Sequence, residues 1–114
     1  MSNCLFCRIV AKEIPATVVY ETDSTLAFRD VGPKAPVHVL VIPKEHHANV
    51  GDLAAADPAL AGAVLAAAGE VASAEGLTDG YRLIFNTGPH AGQEVEHVHV
   101  HVLGGAPLGP MLSR

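Results

Sequence analysis

The stretch His97-Val98-His99-Val100-His101-Val102-Leu103, followed by Gly104-Gly105, restricts this chain more than any other. Imidazole and aliphatic side chains alternate there with period two. On a strand that alternation sends the two kinds of side chain to opposite faces. The valines therefore face a core, and His97, His99 and His101 form a row on the other side. At about 3.3 Å rise per residue, neighbouring histidines stand about 6.6 Å apart and the end members about 13 Å apart. One metal ion is poorly served by a row that long, so its members are expected to divide the labour. The bland alternative is a solvated face that happens to be rich in histidine. So strongly β-branched a strand, ended by Gly-Gly, argues against it.

Imidazole with an ordinary pKa near 6.5 is largely neutral at pH 7 and can serve as nucleophile or base. Attack on phosphorus or acyl carbon gives a covalent intermediate that water can cleave, while a neighbouring histidine serves the leaving group. The glycines of Asn86-Thr-Gly88-Pro-His-Ala-Gly92-Gln93 precede the row. Backbone amides in such a loop can hold a phosphate, which favours phosphorus over carbon. The rival is a cupin-like metalloenzyme using two strand histidines at i and i+2, with Glu94 or Glu96 and His38 recruited as further ligands.

A chain of 114 residues reads as one domain with a single core. Its formal net charge is −5, with Lys and Arg scattered. That argues against a nucleic-acid groove or a polybasic membrane patch. No apolar run is long enough for a membrane span. The N-terminus lacks a charged-then-apolar signal pattern, so the expected location is the cytoplasm. Both cysteines sit in Cys4-Leu-Phe-Cys7. A dithiol redox pair, half of a zinc site and two ordinary buried thiols all remain open. The redox reading wants a thioredoxin-like βαβ context, which does not follow; zinc wants two further ligands, with seven histidines to choose from.

Along the chain, a short helical turn is expected over Phe6–Ala11. Strands are expected over Val18–Glu21 and Thr25–Asp30, joined by the turn residues Thr22-Asp23-Ser24. Gly32, Pro33 and Pro36 make a loop, His38–Ile42 a buried strand ended by Pro43, and Lys44–Asn49 a polar loop. A long helix is predicted from Asp57 to Glu75, with Asp57 as N-cap, Pro58 in the first turn and Gly76 beyond the end. Leu60, Val64 and Val71 mark its apolar side. Gly62 and Gly69 lie nearly on one face, which points either to close approach of another helix or to simple tolerance. Tyr81–Phe85 is the next strand, then the glycine loop and the histidine strand. The sum is an α+β fold: about five mostly antiparallel strands with one long and one short helix, and no repeat or linker.

The triad strand resembles the signature of the histidine-triad (HIT) family, His-φ-His-φ-His-φ-φ with φ apolar, across all of His97 to Leu103. The similarity extends to Asn86–Val95, Ile14-Pro15, Phe28-Arg29-Asp30 and His38-Val-Leu-Val-Ile-Pro43-Lys. Gly104-Gly105-Ala-Pro-Leu-Gly-Pro110 is similar to the tail of the Hint branch. The resemblance implies binding of purine nucleotides and chemistry at the α-phosphate, with His99 as the nucleotidylated nucleophile. His101 would meet phosphate oxygens or the leaving group, beside Gly92, Gln93 and the backbone at Glu94 and Val95. His38 matches an accessory histidine at the phosphate site, Asp30 the carboxylate for the ribose hydroxyls, and Asn86 a polar contact near the phosphate. Phe6, Ile9, Ile14, Phe28, Val31 and Leu40 match an apolar purine slot. It further implies a zinc ion on Cys4, Cys7, His46 and His97, with His47 as a substitute for His46. The edges of a small sheet and the two-glycine helix face predict a homodimer, in which, as the resemblance implies, residues Pro107 to Arg114 of one subunit border the other's active site.

Three positions depart from the Hint pattern. Glu94 stands where Ser commonly donates to the phosphate, Glu96 replaces an aromatic, and Ala106 replaces a basic residue. The activity implied is hydrolysis of the P–N bond in adenosine 5′-phosphoramidates, releasing AMP. Dinucleoside polyphosphate hydrolysis, as in the Fhit branch, and a nucleotide-binding or zinc-stabilised interaction protein with little turnover are the alternatives.

Overall fold

The computed structural model describes residues 3–112. Five strands form one sheet: β1 (Val18–Glu21), β2 (Thr25–Arg29), β3 (Val37–Pro43), β4 (Tyr81–Phe85) and β5 (Val100–Gly104), in the order β1-β2-β3-β5-β4. Every neighbouring pair is antiparallel. The expected sheet is therefore present, with β3 at its centre between β2 and β5.

Among the described residues three α-helices accompany it: α1 (Leu5–Val10), α2 (Val50–Ala56) and α3 (Pro58–Ala74). The expectation of two helices missed α2. Its cap is a single asparagine, Asn49, whose Oδ1 accepts from Asp52 N at 2.9 Å, and it buries only Leu53. A helix of seven residues with one buried side chain has no periodic stripe to read. Asp57 ends α2 and caps α3, its Oδ1 accepting from Leu60 N at 3.0 Å. At the far end Gly76 (φ +73) turns the chain so that Leu77 N reaches Ala72 O.

Period-two patterning sorts the side chains into two apolar clusters on opposite faces of the sheet. Ala27, Val39, Val41, Val98, Val100 and Val102 pack with Leu53 and with Val64, Ala68 and Val71 of α3. Leu26, Phe28, Leu40 and Ile42, one residue out of step, pack with Phe6 and Ile9 of α1. The valines of the triad thus lie in the core, as their spacing implies. The histidines lie on the α1 side of the sheet.

The glycine pair that ends β5 has a steric cause. A Cβ on Gly104 would stand 2.9 Å from Leu77 Cδ1, and Gly105 adopts φ +93 against Pro36. Gly62 and Gly69 of α3 differ: a Cβ on either would meet nothing within 4 Å. Of the tail Pro107–Arg114, positions 113 and 114 lie outside the described residues. Among the described residues no helix is long and apolar enough to cross a membrane.

Candidate active site and metal centre

The ladder of β5 begins only at Val100, so His97 and His99 precede the paired strand. Their segment is tied instead to the chain leaving β3, through Val98 N donating to His47 O at 2.7 Å. His97 is fully buried, His99 nearly so and His101 partly. The row is an interior surface, and each ring has a defined partner.

Those partners set which nitrogen carries the proton in each neutral ring, because a carbonyl can only accept and a backbone N–H can only donate. His97 Nε2–H donates to Pro43 O at 2.8 Å, leaving its Nδ1 as a lone pair. His99 Nδ1–H donates to the carbonyl of His97 at 2.8 Å, leaving Nε2 as a lone pair. His38 Nδ1 accepts from Lys34 N at 3.0 Å, so its Nε2 carries the proton and donates to His101 Nδ1 at 2.9 Å. His101 then holds its own proton on Nε2. Lys34 is a participant the sequence did not announce, since its contribution is a main-chain group.

Burial opposes charge on these rings. It pushes His97 down to about 4 against the pull of the Pro43 carbonyl. His101 is likewise pushed to about 4, by burial first and then by proximity to His99 and His38. His38 is lowered mainly by burial, with Asp30 acting in the opposite sense. Asp30 Oδ2 lies 3.5 Å from His38 Nε2, while its Oδ1 accepts from Gly32 N at 2.7 Å.

Two contiguous cavities meet at Asp30, Glu94, His99 and His101. The first, about 570 Å³, is mostly apolar in character and is lined by Phe6, Ile9, Ile14, Phe28, Val31, Leu40 and Val95. Leu5, Pro15, Ala16, Thr17 and Arg29, not anticipated from the sequence, complete its wall. The second, about 410 Å³, is lined by Lys34, His38, Ile84, Asn86, Gly92 and Leu103. Gln93 lines neither. Its Oε1 accepts from Gly88 N, and its Nε2 donates to Ala48 O and Val95 O. As placed, it braces the glycine loop and does not reach into the cleft. Asn86 Nδ2 similarly donates to Ala91 O at 2.8 Å, with its residue still at the cavity wall.

At the other end of the row, the donor atoms of Cys4, Cys7, His46 and His97 lie within 4.8 Å of one another. Cys4 Sγ is 3.3 Å and Cys7 Sγ 3.5 Å from His97 Nδ1, and Cys7 Sγ is 3.4 Å from His46 Nδ1. Zn–S and Zn–N bonds of about 2.3 and 2.0 Å at tetrahedral angles separate S from N by about 3.5 Å, so the residues fit such an ion. The free lone pair of His97 Nδ1 points to the thiols, as a ligand must. His47 is turned away and pairs with Glu45 at 2.7 Å.

A second trio, Asp30, His38 and His101, has donor atoms equally close. There the Lys34 N–H occupies His38 Nδ1 and leaves the proton on Nε2, the atom that would have to ligate. The trio is a poor metal site and a good proton-ordering chain.

A HIT-domain pattern matches residues 11–108. The purine nucleoside phosphoramidase of Escherichia coli K12 is 47% identical over 110 residues, spanning 96% of this chain and 92% of that protein. The 14 kDa zinc-binding protein of Zea mays is 50% identical over 110 residues, spanning 94% and 85%. A HIT family hydrolase from Legionella pneumophila Philadelphia 1 superposes with a TM-score of 0.90 at 51% identity, over 94% of this chain and 96% of that one. Sheet, histidine row and sequence agree along nearly the whole length, and this chain belongs to the histidine-triad family.

Proposed function

We propose that this protein is a purine-nucleotide hydrolase that cleaves the P–N bond of adenosine 5′-phosphoramidates. The observation that carries the reading is the opposite polarity of two adjacent imidazoles: His99 offers a lone pair at Nε2, and His101 holds a proton at Nε2. Both line the border between an apolar slot and a polar cleft. The relative from Escherichia coli named a purine nucleoside phosphoramidase supports the same reading.

The purine lies among Phe6, Ile9, Ile14, Phe28, Val31 and Leu40, with Val95 at the rim, and the ribose hydroxyls donate to Asp30. The α-phosphate sits at the border of the cavities, near the backbone at Glu94 and beside Asn86 and Gly92. His99 Nε2 attacks phosphorus as the P–N bond of the substrate breaks, forming a nucleotidyl-histidine. His101 Nε2–H donates a hydrogen bond to the departing nitrogen, which takes its proton from solvent water as the amine leaves. Water then cleaves the bond to His99 and releases AMP, the water's second proton passing to solvent. His38 keeps His101 in the donating tautomer.

In the same reading Cys4, Cys7, His46 and His97 hold a structural zinc ion, a closed four-ligand site that ties α1 to the sheet and offers no open position for chemistry. The zinc-binding relative from maize supports it. The chain acts as a homodimer in the cytoplasm: β4 lies at a sheet edge, and the glycine face of α3 is open to a second copy. Incubation with an AMP–amine conjugate and with diadenosine polyphosphates tests the activity. Release of AMP from the conjugate, with intact-mass detection of a nucleotidyl adduct, is the expected result. Preferential cleavage of the polyphosphates, or turnover of neither, overturns it.

A further inference from the structure

The wall of the purine slot hangs on the same thiols that form the Cys–His cluster. α1 has six residues, far too few to be stable as an isolated helix. Its side chains point to two destinations. Cys4 and Cys7 approach His97 and His46, while Phe6 and Ile9 are buried against Phe28, Leu40 and Ile42 and line the slot.

Phe6 lies between these two destinations. Its ring stands edge-on to His97 at 5.9 Å and to His99 at 5.1 Å, and meets Phe28 at 5.4 Å. Such contacts are specific in geometry and are lost when either ring shifts. Phe6 is therefore bracketed in sequence by two thiols of the metal cluster and bracketed in space by a metal ligand, the nucleophile and the slot.

We propose that Phe6 is a positioning residue through which metal bound at Cys4, Cys7, His46 and His97 orders the purine slot, so that metal and nucleotide each strengthen binding of the other. The inference rests on the nucleotide reading given above. A metal cross-link removes freedom from α1 that a nucleotide would otherwise have to remove on binding, and ordering done by one ligand lowers the free energy needed by the second. Binding linkage is reciprocal, so the same factor must appear in both affinities.

The test uses zinc and AMP as the two ligands. AMP affinity is measured by calorimetry on zinc-loaded and chelator-stripped protein, and zinc affinity by competition with a chromophoric chelator, with and without saturating AMP. Zinc should tighten AMP about tenfold, and AMP should tighten zinc by the same factor, within the usual range of coupling. In Phe6→Ala, and in Phe6→Leu should the smaller side chain fail to fold, zinc should bind as in the wild type when AMP is absent. The coupling factor should then fall towards one. Equal AMP affinity with and without zinc overturns the proposal. So does coupling that survives in the Phe6 variants, because it then reflects general stabilisation of the fold. If AMP binds neither form, the nucleotide reading itself has failed. If AMP binds but zinc does not, the fault lies in the metal reading.

Discussion

His38 and His101 stand 2.9 Å apart, Nε2 to Nδ1, and the proton between them belongs to His38 because Lys34 N–H occupies its other nitrogen. His101 is thereby held with Nε2–H available to the cleft. In His38→Phe nothing selects that tautomer. A hydrogen-bond donor positioned on the reacting group contributes about 10²–10³-fold, and loss of its ordering should lower kcat by about tenfold or more. AMP affinity should fall by less than kcat, since His38 lines the phosphate cleft and not the purine slot. Steady-state kinetics beside AMP titration would separate the two, and a fall in affinity with kcat intact would count against the assignment.

The depressed pKa of His101 sets a direction for acid stability. Its folded value, about 4, lies below the ordinary 6.5, so the folded state prefers the neutral ring. That preference contributes fully above pH 6.5, weakens as pH falls, and is gone once pH passes through about 4. The lowered His38 acts in the same sense. Urea midpoints should therefore drop more between pH 7.5 and 5 for the wild type than for His101→Gln. At about 1.4 kcal/mol per pKa unit, the difference is about 1–3 kcal/mol. Equal drops would show that His101 titrates normally.

Asp30 serves two partners, and the choice of variant has to respect both. Its Oδ1 accepts from Gly32 N at 2.7 Å and holds the loop that carries Lys34. Asp30→Asn keeps an acceptor there and removes the charge offered to the ribose. A charged acceptor contributes about 1.5–3 kcal/mol, so AMP should bind about 10–100-fold more weakly. Inorganic phosphate should be little affected. Equal losses for the two ligands would misplace the ribose.

Within the triad, His97 and His99 should separate cleanly. His99→Ala should abolish turnover and the nucleotidyl adduct while retaining zinc, the fold and AMP binding. Cys7→Ser should release zinc and lower the melting temperature by several degrees. The folded remainder should still form the adduct at saturating substrate. Metal analysis and intact-mass trapping on both variants decide it. A folded zinc-free protein unable to form the adduct would make the metal catalytic.

Glu94 borders both cavities from an exposed position. A solvated carboxylate near a bound phosphate repels it modestly, by about 0.5–1 kcal/mol. Glu94→Ser should therefore tighten AMP by about two- to fivefold, more at low salt than at high. An unchanged affinity at both salt concentrations would show that the side chain points away from the phosphate.

The strands and the long helix were legible because each carries a full period of apolar residues: Val39 and Val41 against Leu40 and Ile42, or Val64 and Val71 along α3. α2 was not, because one buried leucine makes no period. Motif spacing brought His97, His99 and His101 to one side, but not their enclosure by Phe6 or their separate partners, which come from residues far away in sequence. Gln93 could be placed beside the phosphate loop, yet the three bonds that occupy its amide depend on how the loop closes on Ala48. Lys34 left no trace because any residue but proline supplies a backbone N–H.

The interleaving of valine and histidine has a consequence for how this chain reaches its native state. β5 pairs on both sides, with Val102 opposite Val39 and Leu83. A slip of one residue would turn His101 into the layer against α3 and Val100 and Val102 towards the cleft. An imidazole stranded there without a partner would cost about 1–3 kcal/mol. Misregistered molecules are thus penalised at His101, one of the residues that line the cleft. The last histidine of the row helps to proofread the register of its own strand during folding.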